Sequence, residues 1–283
     1  MDFSPSFKYN GKRKREEKLM RKLLCILVLL AGALCYYMTR PSTIHEKVGA
    51  PAESTLLQPL PAGVAQNSFV RDLPHPLQLA WQGWHIREIA RSRIPREDWV
   101  PLKEISPWLP KAQVAVEDKR FYSHHGVDPD GILRATLINI QNEEVVEGAS
   151  TLTQQLVKNL LLTSDQTLGR KAAEAGLAFL VEARCSKQEI LEMYLNTTFL
   201  GAGATGVKQA SQVYFGQSPK SLTLPQAATL AGLPYAPTAL NPYNNWQACK
   251  KRRNLVLNRM AEQGMITPEQ LEAALQSPLG IGK

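Results

Sequence analysis

Cysteine is too scarce to staple this chain. Of four in 283 residues, Cys25 and Cys35 lie in one long apolar run, leaving only Cys185 and Cys249 as a pair that could be joined. Two thiols make no disulfide framework, and free buried thiols are the expectation for both. No internal repeat is evident, nor any alternating apolar and polar stretch as long as the helical ones, so a mainly α-helical chain is expected. His124 and His125 lack the third and fourth ligands at the spacing a structural zinc demands, and hydrogen bonding at a helix end suits them better. Acidic residues are outnumbered, 25 to 33, for a net charge of +8. Eight basic and three acidic residues of that balance fall within Met1–Lys22, so most of the excess is a local tail. No basic face with interleaved aromatics replaces it elsewhere, which removes the case for a nucleic-acid partner. At 44% hydrophobic and 20% charged, the chain is neither disordered nor collagenous.

The segment after the tail has the hydropathy of a membrane anchor. Leu23–Met38 reads LLCILVLLAGALCYYM, uncharged throughout and closed by Arg40 and Pro41. As a helix it covers about 24 Å, short of a hydrocarbon core of about 30 Å. Leu19, Met20 and Thr39 lengthen it, and Arg21, Lys22 and Arg40 can snorkel. A signal peptide should end in small residues, whereas Tyr36, Tyr37 and Met38 end this segment, so it is expected to stay uncleaved. Positive charge keeps the tail in the cytoplasm and sends everything past Arg40 across the membrane. The expected organisation is a basic tail at 1–22, a single transmembrane helix at 23–39, a proline-rich linker at 40–76 and one helical domain at 77–283.

Within that domain, apolar residues recur every three and four positions. The spacing predicts helices at Ile132–Ile140, Leu152–Leu161, Arg170–Ala183, Glu189–Leu195, Gln226–Leu233, Gln247–Gln263 and Pro268–Leu275. Their stripes include Leu152, Leu156 and Leu160, then Leu177 and Leu180, then Leu255 with Met260. Capping-box spacing occurs at Ser186 and Glu189, at Thr223 and Gln226, and at Thr267 and Gln270, the last with Pro268 at the first helical position.

Three segments put polar side chains where amphipathic helices bury carbon. In EDKRFYSHHG, Glu117 follows Val114, Ala115 and Val116. A carboxylate drawn into apolar surroundings binds protons more tightly, which suits it to take one near neutral pH. A helix end with solvated charges is the plainer alternative. In GASTLTQQLVKN, Thr151, Gln155 and Lys158 fall at steps of four and three, so one face carries a hydroxyl, an amide and an ammonium. That set suits sugar hydroxyls and phosphate oxygens, although an ordinary wet face opposite Leu152, Leu156 and Leu160 has the same spacing. In RKAAE, Arg170 and Glu174 meet at i,i+4, a surface ion pair worth about 0.3–0.5 kcal/mol. Together, Glu117, Glu174, Lys158, Arg170 and Lys171 suit a reaction at a sugar carbon whose leaving group is a phosphate.

These blocks, together with ILEMYLNTTFLGAGATGVKQASQVYFG and RRNLVLNRM, occur in the order and approximate spacing of glycosyltransferase family 51. From about Trp99 to Leu275 the chain resembles that family, the peptidoglycan glycosyltransferases found alone or as the first catalytic domain of class A penicillin-binding proteins. The resemblance implies a lysozyme-like, two-lobed helical domain with a cleft between the lobes. Its substrate would be lipid II, polymerised with inversion into a β-1,4-linked glycan strand with release of undecaprenyl diphosphate. Glu117 takes the place of the general base, and Glu174 that of a second glutamate supporting the diphosphate directly or through a metal. Lys158, Arg170 and Lys171 take places near the diphosphate, while Asp118, Phe121, His124, Thr151, Gln155 and Asn159 match substrate-binding motif residues that shape the cleft. Gln141–Glu147 corresponds to a mobile stretch between donor and acceptor sites.

Any metal is expected to be a weakly held divalent cation such as Mg²⁺, since phosphate oxygens and a carboxylate take hard cations well, and no organic cofactor is expected. The partners the resemblance implies are lipid II, the growing glycan, the membrane, and wall-synthesis or division proteins. The place implied is the cytoplasmic (inner) membrane, with the N-terminus inside and the catalytic domain on the periplasmic side. Apolar residues Leu133, Leu137 and Ile140 are then expected to dip into the bilayer. Ala149 departs from a usual second glycine, and Thr197-Thr198-Phe199-Leu200 from a more aromatic sequence. No Ser-x-x-Lys transpeptidase region comes before Lys283, so the monofunctional type is expected unless the sequence is a fragment of a longer protein. Two rivals remain: a lysozyme-like hydrolase or lytic transglycosylase, and a silent wall scaffold. The three cations favour a phosphate leaving group over the first, and the two glutamates speak against the second.

Overall fold

A computed structural model describes residues 73–142, 148–162 and 167–281. The tail, the anchor expected at 23–39, nearly all of the linker and residues 143–147 of the expected mobile stretch lie outside them. Among the described residues there are eleven α-helices and no sheet, only isolated bridges joining His125 to Val127 and Phe199 to Thr205. None of these helices is long and apolar enough to cross a membrane.

The helices are α1 (His75–Trp84), α2 (Ile86–Ser92), α3 (Trp108–Glu117), α4 (Pro129–Asn142), α5 (Leu152–Leu161), α6 (Leu168–Arg184), α7 (Lys187–Thr197), α8 (Gly206–Phe215), α9 (Leu224–Gly232), α10 (Trp246–Glu262) and α11 (Pro268–Gln276). All seven helices expected from periodicity are present. The capping boxes at Ser186, Thr223 and Thr267 form, and Thr151 with Gln154 adds a fourth. Helices α1, α2, α3 and α8 escaped the sequence reading. Pro76 in α1 and Pro110 in α3 look like breakers, but each sits in a first turn, where no backbone N–H is needed. The stripe expected through Leu255 is also displaced. Cys249, Arg253, Val256, Leu257 and Met260 form the buried side of α10, and Leu255 is exposed.

Packing gathers eight of the eleven helices into two groups, and α8 touches a member of each, α7 and α9. Helix α9 lies against α3 and α10, which also touch each other, and α11 closes on α10. Helices α1, α5, α6 and α7 form the second group, with α5 against both α6 and α7. The buried Arg253 guanidinium donates to the carbonyls of Ser277 (2.7 Å) and Leu275 (3.2 Å), placing a cation on the orphan acceptors at the end of α11. With Arg253 turned inward, Arg252 projects about 100° round the helix, toward α3. Between α2 and α7, Arg87 donates to Glu189 at 2.9 Å and holds that carboxyl down at about 2.

Cys185 and Cys249 are free and buried, and burial pushes both thiols up to about 11.

Candidate active site

Glu117 is the last residue of α3 and Asp118 leaves the helix. That adjacency builds the site. The buried Asp118 carboxylate accepts the Leu152 N–H at 2.9 Å, and Thr151 Oγ1 accepts the Gln154 N–H at 3.1 Å, so the two side chains satisfy exposed donors at the start of α5. His124 Nε2 lies 2.9 Å from Asp118 Oδ2 and fixes the carboxylate from behind. With α5 pinned at residue 152, its next turn brings Gln155 to Glu117, and Gln155 Nε2 donates to Glu117 Oε2 at 2.8 Å. The Glu117–Gln155 bond thus joins the two packing groups.

Glycine permits two close approaches here. Gly126 has φ +90°, and a Cβ on it would stand 2.7 Å from the Ala178 backbone; its carbonyl accepts the Thr151 hydroxyl at 2.6 Å. A Cβ on Gly232 would stand 2.9 Å from Cγ of Arg252, which runs over that glycine and donates through Nε to its carbonyl at 3.3 Å.

Arg252 completes the surroundings of Glu117, donating to Oε1 at 3.2 Å. The expectation of an apolar setting for this carboxylate is corrected. Its side chain keeps 13% exposure, and its partners are an amide and the guanidinium of Arg252, a side chain 16% exposed. The Gln155 carbonyl in turn accepts the Tyr194 hydroxyl at 2.9 Å. Tyr194 is fully buried, and burial, with the Glu117 carboxylate nearby, pushes its hydroxyl well above the ordinary phenol range.

A second acidic centre lies on α6. The Glu174 side chain is 2% exposed, with Arg170 2.7 Å from one oxygen and Lys171 in close contact with the other. The pair expected on the surface is therefore inside, and the value for exposed pairs does not apply to it. Lys171 also donates to Ser150 Oγ at 2.8 Å, just before the α5 cap. Ser150 and Gln155, five residues apart, thus tie the two acidic centres to one stretch of chain.

The face expected to offer Thr151, Gln155 and Lys158 together divides by depth. Thr151 is buried and its hydroxyl is engaged by the protein, Gln155 is half-buried, and Lys158 is exposed one turn farther on, beside an exposed Asn159. Phe121, Asp118 and His124 are also interior, so four residues expected to bind substrate make their contacts with the protein. Beyond His124 lies a buried set in which Thr153 Oγ1 (2.6 Å) and Lys187 Nζ (2.7 Å) donate to Glu182.

Arg252 and Tyr194 were missed by sequence reasoning. Arg252 stands in the quoted RRNLVLNRM block, but in so basic a helix it looks like one more solvated charge. Tyr194 looks like core, which it also is. The signal available was Arg252 three and four places from Cys249 and Val256, on the border of the buried stripe.

Among the described residues no group of three His, Cys, Asp or Glu side chains is arranged to hold a metal ion. Glu174, the expected anchor for one, has both oxygens taken by cations. A cavity of about 880 Å³ lies elsewhere, lined by residues including Asp98, Trp99, Lys208, Gln209 and Gln212. Within it Gln209 donates to Asp98 at 2.8 Å, and Lys208 lies 3.4 Å from the same carboxylate.

A model of the family described as Transglycosylase matches residues 83–261. Penicillin-binding protein 1A of Haemophilus influenzae is 41% identical over 256 residues, covering 90% of this chain and 26% of its own length. Penicillin-binding protein 1A of Aquifex aeolicus is 47% identical over 190 residues, covering 67% and 26%. A crystal structure of the Haemophilus influenzae protein shares 47% identity over 34% of this chain and 14% of its own, with a TM-score of 0.33. The chain spans about a quarter of the length of the curated relatives it matches.

Proposed function

The chain belongs to the transglycosylase family, glycosyltransferase family 51, and from that premise we propose that it is a peptidoglycan glycosyltransferase polymerising lipid II. The observation that carries this is a pair of differently held carboxylates. Glu117 is partly open and held by Gln155 and Arg252, while Glu174 is enclosed by Arg170 and Lys171. In the proposed reaction Glu117 takes the proton of the acceptor's 4-hydroxyl as that oxygen bonds to the donor's anomeric carbon. The bond from that carbon to the diphosphate breaks, the diphosphate keeps the electron pair, and the configuration inverts. Arg170, Lys171 and Lys158 neutralise the departing charge, which preorganised cations do best in a site closed to water. Asp118, His124, Thr151 and Phe121 hold Glu117 and α5 in register, and Asn159 borders the cleft beside Lys158. The two helix groups are the two lobes of the lysozyme-like fold in this reading, with the cleft where Glu117 meets α5. The donors around Glu174 do not fit a metal held there together with Arg170 and Lys171, so no step is routed through one.

The substrate's lipid stays in the bilayer, which calls for the organisation read from the sequence: cytoplasmic tail 1–22, anchor 23–39, linker 40–76 and catalytic domain 77–283 outside the inner membrane. The exposed Leu133, Leu137 and Ile140 of α4 are proposed to enter the same bilayer. Replacing all three with serine is expected to lower polymerisation of bilayer-embedded lipid II while sparing the detergent-dispersed substrate. Equal losses on both would sink the membrane role.

The reaction is tested by giving the full chain labelled lipid II and separating products by size. Polymer resistant to the chain's further action is expected, together with free undecaprenyl diphosphate. Release of fragments from intact wall without polymer would instead favour a lytic enzyme, and inertness on both would favour a scaffold.

A further inference from the structure

Each oxygen of the Glu117 carboxylate has its own donor, and each donor is held by a different tyrosine. Oε2 accepts from Gln155 Nε2 at 2.8 Å, and the far end of that amide accepts the Tyr194 hydroxyl at 2.9 Å. Oε1 accepts from Arg252 at 3.2 Å, and the guanidinium carbon of Arg252 lies 4.3 Å from the centre of the Tyr235 ring. We propose that Tyr194 and Tyr235 are positioning residues for the glycosyl-transfer base, acting through Gln155 and Arg252 respectively. This role depends on Glu117 being the base proposed above.

The two arms work by different chemistry. An amide offers a donor at one end and an acceptor at the other, so a half-turn of the Gln155 side chain would set its carbonyl against the Glu117 carboxylate. The Tyr194 hydroxyl opposes that turn because it needs an acceptor, and burial keeps its proton in place. Here the hydroxyl matters and the ring is core. Tyr235 ends the short 3₁₀ turn Leu233–Tyr235 after α9, and its ring is exposed. Its face attracts the flat guanidinium, which Gly232 leaves room to lie down and whose Nε the Gly232 carbonyl holds. Here the ring matters and the hydroxyl does not. An inner tyrosine and an outer one thus fix the plane of one carboxylate, and with it the direction in which a proton can be accepted.

Steady-state polymerisation of lipid II by the full chain tests this, with kcat and KM measured separately. Tyr194→Phe is expected to lower kcat roughly three- to tenfold, the worth of one hydrogen bond, with KM held within twofold. Tyr235→Ala is expected to lower kcat roughly two- to fivefold, and Tyr235→Phe to restore most of that loss. The loss from Tyr194→Phe is expected to vanish in a Gln155→Ala background, because the hydroxyl then has nothing to orient. A merely structural tyrosine would lower stability in both backgrounds without that dependence. Wild-type kcat in both Tyr194→Phe and Tyr235→Ala, or losses confined to KM, would overturn the proposal. Tyr235 is exposed, so its arm stays testable even where Tyr194→Phe disturbs the core. An unmodified chain that made no polymer would sink the reading of the reaction itself. An active chain silenced by Glu117→Gln but indifferent to both tyrosines would sink this inference alone.

Discussion

Glu117→Gln is expected to abolish measurable polymerisation, a loss of at least about 10²–10⁴-fold in turnover, while the thermal unfolding midpoint stays close to wild type. The substitution keeps the side chain's size and removes its capacity to take a proton. Its amide oxygen can still accept from either Arg252 or Gln155, so one of the two bonds survives. The structural cost is confined to one imperfect contact at a partly open position, about 1 kcal/mol. Kinetics and stability therefore separate, and that separation is the content of the prediction. Near-normal turnover would strip Glu117 of its role. A large fall in midpoint matched by the fall in rate would instead make it a structural carboxylate.

Helices with a strong apolar period, such as α5 and α6, were legible in the sequence, and so were the caps that start α7, α9 and α11. These are local properties, set by neighbours three and four residues away. The position of Glu117 beside α5 was not local. It depends on Asp118 reaching across to the Leu152 N–H, and nothing in residues 114–120 alone indicates which helix end that carboxylate will cap. Arg252 is a harder case, separated from Glu117 by 135 residues along the chain. Only the stacking of α3, α9 and α10 brings it there. Burial also reversed some expectations within the recognised motifs. Thr151 and Lys158 share a helical side by spacing, yet Thr151 is the extended N-cap residue with its hydroxyl bonded inward to the Gly126 carbonyl, while Lys158 is exposed farther along α5. Periodicity gives an angle about the helix axis and says nothing of depth along it.

Glu174 is expected to act through its cations, and the size of its effect depends on how deeply it is placed. At 2% exposure its carboxylate touches Arg170 and Lys171 and leaves no surface for a substrate, whereas Arg170 keeps 11% and Lys171 46%. Glu174→Gln should lower kcat/KM about 10²-fold, roughly 2.7 kcal/mol of transition-state stabilisation, because two cations lose the group that aims them. It should also lower stability, though by less than a fully buried ion pair would, about 1–3 kcal/mol, since Lys171 is 46% exposed and keeps both water and Ser150 as partners. Stability loss alone cannot produce the next result. In an Arg170→Ala background the further loss in kcat/KM from Glu174→Gln should shrink, leaving a coupling of about 1–3 kcal/mol between the two sites. Additive losses would mean that Glu174 reaches the diphosphate independently of Arg170, which requires α6 to open and uncover a carboxylate now enclosed. A double-mutant cycle on purified full-length chain, read with lipid II below KM, distinguishes a carboxylate that positions cations from one that binds substrate for itself.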